Sequence, residues 1–209
     1  MPDKSLEKDL LAKIFIEQMS EHKVLFNNLI ENISPFPREN KQCVKSLINK
    51  GKIIKLNEHV NLTEKGRKSI KVVLCGGTFD ILHPGHLLTL KKAKSLGDIL
   101  VVIVATDETA EKTRGRKPYN SEQKRLELVN SLKVVDFAMI GERGSIYGTL
   151  LRVKPDIVVL GYDQTHKEKE IESFANSNNL RVKVIRLTEM VEGVKSSTLL
   201  KDTDLVNET

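Results

Sequence analysis

The spacing of apolar residues changes near residue 70. From residue 71 onward, short apolar runs alternate with longer stretches in which apolar residues lie three or four positions apart. The runs are typical of buried strands and the stretches of helices. The predicted strands are Lys71–Cys75, Ile99–Ala105, Val134–Ile140, Asp156–Gly161 and Val182–Leu187. The helices predicted between them lie at about Pro84–Ser95, Ser121–Ser131, Ser145–Val153 and Lys167–Ser177.

A regular alternation of strand and helix makes each connection a crossover, which favours a parallel sheet covered on both faces. The predicted fold class of residues 71–209 is therefore α/β, a Rossmann-like domain with a parallel five-stranded sheet. A ligand of such a domain is expected at the carboxyl ends of the strands.

Residues 1–70 lack this alternation. The predicted elements are helices at Leu6–Met19, Val24–Ile33 and Arg38–Asn49, followed by a hairpin of Ile53–Leu56 and His59–Leu62. Amphipathic spacing supports the helices, and two short apolar runs around Asn57-Glu58 support the hairpin. Three helices and a two-stranded wing resemble a winged helix-turn-helix domain. The sequence thus predicts two domains, a small winged-helix-like domain at 1–70 and a larger one at 71–209.

Positive charge is concentrated in the first of these domains. The chain has 209 residues and a net charge of +6, of which residues 1–70 carry +4 from 13 Lys+Arg against 9 Asp+Glu. Such charges on a third helix and wing suit DNA phosphates, so DNA is a possible partner of residues 1–70. A charged helix is also commonly a solvated face, and winged-helix folds serve in docking or dimerisation. We favour a structural or interaction role over DNA binding. The clustered cations are Arg38, Lys41, Lys45, Lys50, Lys52 and Lys55.

Composition predicts a cytoplasmic protein that does not enter a membrane. The longest apolar run, Ile99–Ala105, is far shorter than the roughly 20 residues that span a bilayer. The first four residues, Met-Pro-Asp-Lys, do not resemble a signal peptide. Cys43 and Cys75 lack metal-type spacing, so neither a zinc site nor a disulfide framework is expected.

The segment after the first predicted strand carries the most chemical information. Residues 76–86 read Gly-Gly-Thr-Phe-Asp-Ile-Leu-His-Pro-Gly-His. Glycines permit a tight turn with exposed backbone, and Pro84 suits the first position of a helix. The N–H groups and dipole at a helix start attract anions. His83 and His86 would face the same side of this helical turn and donate hydrogen bonds to phosphate oxygens in a transition state.

This segment resembles the signature of the HxGH nucleotidyltransferase superfamily, in its cytidylyltransferase-like branch, written GTFD-x-x-H-x-GH. The resemblance implies transfer of a nucleotidyl group from a nucleoside triphosphate to a phosphate or similar acceptor, with release of pyrophosphate. It implies that Gly77, Thr78 and Phe79 line the nucleotide pocket. It also implies that His83 and His86 stabilise the pentacoordinate α-phosphate.

Two further segments are expected to bind the triphosphate. Lys112, Arg114, Arg116 and Lys117 form a basic loop before the helix that carries Arg125. In cytidylyltransferase-like enzymes an arginine placed as Arg125 contacts the nucleotide. Later, Val194 to Lys201 resembles the second family signature, ISSTxxR, in which Ser196, Ser197 and Thr198 would bind phosphate. Lys195 and Lys201 depart from that pattern, and Lys201 keeps the charge of the expected arginine without its bidentate fork.

A shorter segment, Gly161-Tyr162-Asp163-Gln164, follows the fourth predicted strand, where this family reads the base. It resembles the archaeal FAD synthetases, which join the AMP of ATP to FMN, more than the Gly-Asp-Asp of cytidylyltransferases for alcohol phosphates. Gly161, Asp163 and Gln164 are therefore expected to bind the nucleotide, although ordinary turn chemistry would also explain them.

The preferred interpretation is an FMN adenylyltransferase that uses ATP and FMN as substrates. One alternative is a cytidylyltransferase that makes a CDP-alcohol such as CDP-glycerol from CTP. Another is a winged-helix regulator whose second domain only senses a ligand. The triphosphate would bring Mg²⁺ or another divalent cation, held mainly by phosphates and water rather than by a protein metal site. The resemblance further implies a homodimer.

Overall fold

We describe the protein from a computed structural model, which places residues 4–142 and 146–188. The chain forms two compact units, Met1–Lys71 and Val72–Thr209, a division one residue from the predicted boundary. Within the described residues, no helix is both long and apolar enough to cross a membrane.

The first unit is helical with one hairpin. Its elements are α1 (Lys4–Met19), α2 (Phe26–Asn32), α3 (Pro37–Asn49), β1 (Ile53–Leu56), β2 (His59–Leu62) and α4 (Glu64–Arg67). Helix α1 contacts α3 and β2, and α2 contacts α3. Leu10, Ile14 and Leu47 are fully buried among these elements. The three predicted helices and the hairpin are confirmed, and the resemblance to a winged helix-turn-helix domain stays a prediction.

The second unit alternates strands and helices. Its elements are β3 (Val72–Gly77), α5 (Pro84–Ser95), β4 (Ile99–Val104), α6 (Asp107–Arg114), α7 (Glu122–Asn130), β5 (Phe137–Ile140), α8 (Ile146–Val153), β6 (Ile157–Leu160), α9 (Glu168–Ser177) and β7 (Lys183–Arg186). In the described part of the chain, the sheet has five strands in the order β5-β4-β3-β6-β7, and each neighbouring pair is parallel.

The central strands are buried on both sides. Val72, Val73, Leu74 and Cys75 are successive residues of β3, and all four are at most 2% exposed. Successive side chains of a strand point to opposite faces, so both faces of the sheet are covered. The predicted Rossmann-like α/β fold is confirmed.

Strand β3 has unequal neighbours. It pairs with β4 from Val72 to Gly77, but with β6 only from Val73 to Cys75. The chain passes from β3 to β4 on one side and later returns to β6 on the other, so the strand order reverses at β3. Ligands of open α/β sheets bind beside such a switch point, at the carboxyl ends of the strands.

Helix α6 was not predicted. Thr106 caps it by accepting a hydrogen bond from Thr109 N at 3.1 Å, and Gly115 ends it in the left-handed conformation, with φ of 72°. The prediction that Lys112 and Arg114 lie in a loop is therefore wrong, because both occupy the last turn of this helix. A threonine before two acidic residues, with a glycine nine residues after the threonine, is the capping signal that would have predicted it.

Candidate active site

The glycine pair lies where it was predicted, at the carboxyl end of β3. A β-carbon on Gly77 would stand 3.0 Å from two ring carbons of Phe79, closer than nine in ten real contacts of a β-carbon. Phe79 is 2% exposed and takes a φ of 52°, an uncommon backbone conformation for a bulky residue. Gly77 therefore lets the Phe79 ring fold beneath the turn, and the ring supports the turn from inside.

The two histidines meet at the start of α5. His83 is the N-cap of the helix, Pro84 is its first residue, and His86 follows in the first turn. The imidazole rings stack with their centroids 3.9 Å apart at 29°, and the Phe79 ring lies 5.2 Å from that of His86. Both Nδ1 atoms are buried, and neither has a hydrogen-bond partner within residues 4–142 and 146–188. Buried polar atoms are usually paired, so two unpaired ones side by side are typical of a functional site.

Burial keeps both imidazoles neutral. It is the main cause that lowers the pKa of His86 to about 4, with smaller contributions from His83 and Arg114. Burial also lowers the pKa of His83, helped by Arg114 and opposed by the carboxylate of Asp163. Near neutral pH each ring is therefore uncharged and can donate one N–H group.

Arg114 brings a permanent charge to the histidine pair. Burial is the main cause that lowers the pKa of its guanidinium, and the carboxylates of Asp80 and Asp163 oppose that effect. An arginine stays protonated despite such a shift, because its ordinary pKa is above 12. Arg114 is thus the member of the predicted basic segment whose charge acts on both histidines.

Asp80 joins the turn to the segment after α6. Its side chain is fully buried and accepts hydrogen bonds from Tyr119 N at 2.7 Å, Asn120 N at 3.2 Å and Arg116 Nη2 at 3.0 Å. Arg116 also donates to the carbonyl of Lys117 at 2.8 Å. Arg116 therefore holds the loop, whereas the Lys117 side chain is exposed and its contact with a nucleotide stays a prediction.

The structure places Arg125 inside the protein. It is fully buried, and its guanidinium donates to Thr78 O at 2.6 Å, Asn120 O at 2.9 Å and Asp107 Oδ1 at 2.6 Å. These contacts fix the backbone of the turn at Thr78. Arg125 thus supports the site from beneath, and its expected contact with the nucleotide stays a prediction.

Gln164 is also used within the protein. Its Nε2 donates to Gly76 O at 2.6 Å, and its Oε1 accepts from Gly161 N at 3.1 Å. The amide thus joins the loop after β6 to the turn after β3, and the expected contact of Gln164 with a base edge stays a prediction. Asp163 is exposed, and its charge acts on His83 and Arg114. The structure therefore places Asp163 close enough to His83 and Arg114 for its charge to act on both.

The second signature falls outside the described residues. Ser196, Ser197 and Thr198, with Lys195 and Lys201, lie beyond residue 188, so their predicted contacts with phosphate stay predictions.

Sequence reasoning missed Arg186, the last residue of β7. It donates to Gly161 O at 3.0 Å, Gln164 O at 2.8 Å and His166 O at 2.5 Å. The sequence offers little signal for this, because a lone arginine at the end of an apolar strand is common at the edge of a sheet.

Known proteins resemble this chain most clearly in its second unit. The sequence model of the cytidylyltransferase-like family matches residues 74–202. The FAD synthase of Aciduliprofundum boonei is 50% identical over 115 residues, which are 55% of this chain and 76% of that protein. The FAD synthase of Thermoplasma volcanium is 44% identical over 129 residues, or 62% of this chain and 90% of that protein.

A solved structure is also similar to this chain in sequence and in fold. The crystal structure of the lipopolysaccharide core biosynthesis protein from Thermoplasma volcanium is 45% identical in sequence and superposes with a TM-score of 0.56. The match covers 58% of this chain and 99% of that one.

Proposed function

The chain belongs to the cytidylyltransferase-like family, and we propose that it is a nucleotidyltransferase of the FAD synthase kind. It transfers AMP from ATP to FMN and releases pyrophosphate. The observation that carries this is the stacked, neutral pair of His83 and His86 beside Arg114 at the switch point of the sheet. Relatives named FAD synthase at 42–50% identity support the choice of ATP and FMN.

The reaction forms one phosphorus–oxygen bond and breaks another. A phosphate oxygen of FMN attacks the α-phosphorus of ATP, and the bond from that phosphorus to the oxygen bridging the β-phosphorus breaks. The electron pair leaves with pyrophosphate, so no covalent enzyme intermediate is required. Negative charge on the α-phosphate oxygens is greatest in the transition state, and donors placed there accelerate the reaction.

The residues of this chain supply those donors. Neutral imidazoles at His83 and His86 donate N–H groups to the α-phosphate without repelling each other as two cations would. Arg114 offsets the charge of the triphosphate from the last turn of α6. Because the turn is fixed by Arg125 and Asp80 before substrate arrives, catalysis comes mainly from positioning and electrostatics.

A divalent cation, most simply Mg²⁺, is expected with the triphosphate. Among the described residues there is no group of three or more His, Cys, Asp or Glu side chains that could hold a metal ion. We propose that the cation would be held mainly by phosphate oxygens and water, as Mg²⁺ is in many nucleotide sites. When bound, it would neutralise the charge that develops on pyrophosphate.

One alternative differs only in substrates. Use of CTP with an alcohol phosphate, giving a product such as CDP-glycerol, would suit the family name and the same pair of histidines. A ligand-sensing role is less well supported, because a sensor needs no pair of unpaired imidazoles beside a cation. The homodimer and the binding of DNA by residues 1–70 stay predictions.

A matrix of substrates tests this function. The protein is incubated with Mg²⁺, with ATP or CTP, and with FMN or glycerol 3-phosphate, and pyrophosphate is followed with time. Turnover with ATP and FMN alone is expected. Turnover only with CTP and glycerol 3-phosphate would select the alternative, and no turnover with any pair would count against the enzyme.

A further inference from the structure

Arg186 binds one loop with nearly all of its guanidinium. It ends the edge strand β7, and its side chain is 26% exposed. Nη1 donates to the carbonyls of Gly161 and Gln164, and Nη2 donates to that of His166. Nε pairs with the carboxylate of Glu168, at the start of α9. The guanidinium thus spans the whole connection from β6 to α9.

That connection carries the residues that reach the histidine pair from the other side of the switch point. Gln164 donates to Gly76 O in the catalytic turn, at 2.6 Å. The carboxylate of Asp163 acts on His83 and Arg114. Arg186 binds the carbonyl of Gln164, the residue that follows Asp163. The side chain of the same Gln164 binds Gly76 O, so Arg186 is linked to the turn through one residue.

We propose that Arg186 is a positioning residue for the nucleotide, which holds Asp163 and Gln164 in register with the turn that carries His83 and His86. This inference rests on the proposed function. Arg186 acts on the substrate only through the loop, so it affects chiefly the binding of the nucleotide and less the chemical step.

The geometry requires a guanidinium. Its nitrogens lie in one plane and point in fixed directions, so a single side chain can bind three carbonyls and a carboxylate together. A lysine at this position would keep the charge but bind fewer of these acceptors. The remaining carbonyls would turn to water, and the loop would lose its fixed position.

The first test separates binding from chemistry. Arg186→Lys is expected to raise KM for ATP about tenfold while kcat changes less than about threefold. Lys183→Ala is the matched control, because Lys183 is an exposed residue at the start of the same strand. It should leave KM and kcat unchanged. A loss of folded protein alone lowers kcat and not KM, so a lower kcat with unchanged KM would overturn the proposal. Gln164→Ala removes the contact to Gly76 without altering β7, and it should raise KM in the same direction.

The second test does not depend on activity. The His83 imidazole is titrated by NMR without substrate in the wild type, Arg186→Lys and Lys183→Ala. Two charged groups act on this ring: Arg114 disfavours its protonation, and Asp163 favours it. If Arg186 holds Asp163, the pKa of His83 falls further in Arg186→Lys alone. An unchanged pKa would overturn the positioning role, whereas the expected fall in a protein that makes no FAD would remove only the proposed function.

Discussion

The imidazole rings of His83 and His86 lie face to face with their centroids 3.9 Å apart, and burial lowers the pKa of both. A second positive charge at that distance would be strongly disfavoured, so the stacked pair offers two neutral donors to the proposed reaction. This relationship distinguishes the site from an anion site built of cations, and two of the predictions below follow from it.

Removing either imidazole should slow catalysis. His83→Ala and His86→Ala are each expected to lower kcat by on the order of 10²-fold or more, because each removes a donor used chiefly in the transition state. Steady-state kinetics with saturating ATP and FMN measure this. His22→Ala is the control, since His22 lies in the first unit with 70% of its side chain exposed. An unchanged kcat in either site variant would remove that histidine from the catalytic role.

The folded protein should lose stability between pH 6.5 and about 4. In that interval the unfolded chain binds a proton at His86 and the folded chain does not, because the pKa of His86 is lowered to about 4. The unfolding free energy therefore rises with pH across this range and falls on acidification. Urea denaturation at a series of pH values measures the unfolding free energy, which should change less steeply with pH in His86→Gln than in the wild type. His166→Gln, at an exposed histidine of the same unit, should keep the wild-type slope.

Neighbouring glycines should respond differently to a methyl group. In Gly77→Ala the new carbon meets the Phe79 ring at 3.0 Å, whereas in Gly76→Ala the nearest atom is Ile103 O, at an ordinary 3.6 Å. The Phe79 ring contacts His86, so Gly77→Ala should lower kcat/KM on the order of tenfold to a hundredfold by displacing the imidazole. Gly76→Ala should have a much smaller effect. Equal losses in the two variants would mean that the Phe79 ring does not transmit the change.

Arg125 should be measured as a stability residue. Arg125→Met leaves the carbonyls of Thr78 and Asn120 and the carboxylate of Asp107 without their buried partner. We expect the unfolding free energy to fall by roughly 2 to 4 kcal/mol. The exposed neighbour Lys124→Ala should stay within about 0.5 kcal/mol of the wild type. If Arg125→Met instead raised KM for ATP with no loss of stability, the contact with the nucleotide expected from the family would be its main role.

The first unit can be tested for DNA binding with two lysines. Lys41 and Lys45 are exposed on α3, whereas Lys50 pairs with Glu7 and Lys55 lies over the Phe26 ring. If α3 contacts phosphates, replacing Lys41 and Lys45 with alanine should weaken binding to duplex DNA and reduce its salt dependence. A mobility-shift assay at several salt concentrations measures both. DNA binding that does not change would exclude α3 as the contact surface.

Much of the fold could be predicted because its signals are local. The apolar run before the glycine pair, Pro84 at a helix start and the alternation after residue 71 each depend on a few adjacent residues, and the structure confirms the elements that they predict. The family followed from Gly76–His86 in the same way, and the match of residues 74–202 confirms it.

The roles of individual polar residues were harder to predict because they depend on contacts between distant segments. Arg125 and Gln164 occupy the expected positions in sequence, but their donors bind the carbonyls of Thr78 and Gly76. Arg186 has no motif, and its role appears only when the carbonyls of the loop after β6 lie around it. Sequence spacing shows that a side chain is near a site and does not show which atoms it faces.

The short pairing of β3 with β6 has a consequence for how the domain holds together. The start of α5, after β3, supplies the histidines, and α6, after β4, supplies Arg114. The loop after β6 supplies Asp163, and β7 supplies Arg186, which binds that loop. Backbone pairing from Val73 to Cys75 and the side chain of Gln164 join these two halves at the mouth of the site. A nucleotide with its phosphates on one half and its base on the other would contact both halves at once. Binding of the substrate would therefore stabilise the domain by adding contacts between its two halves.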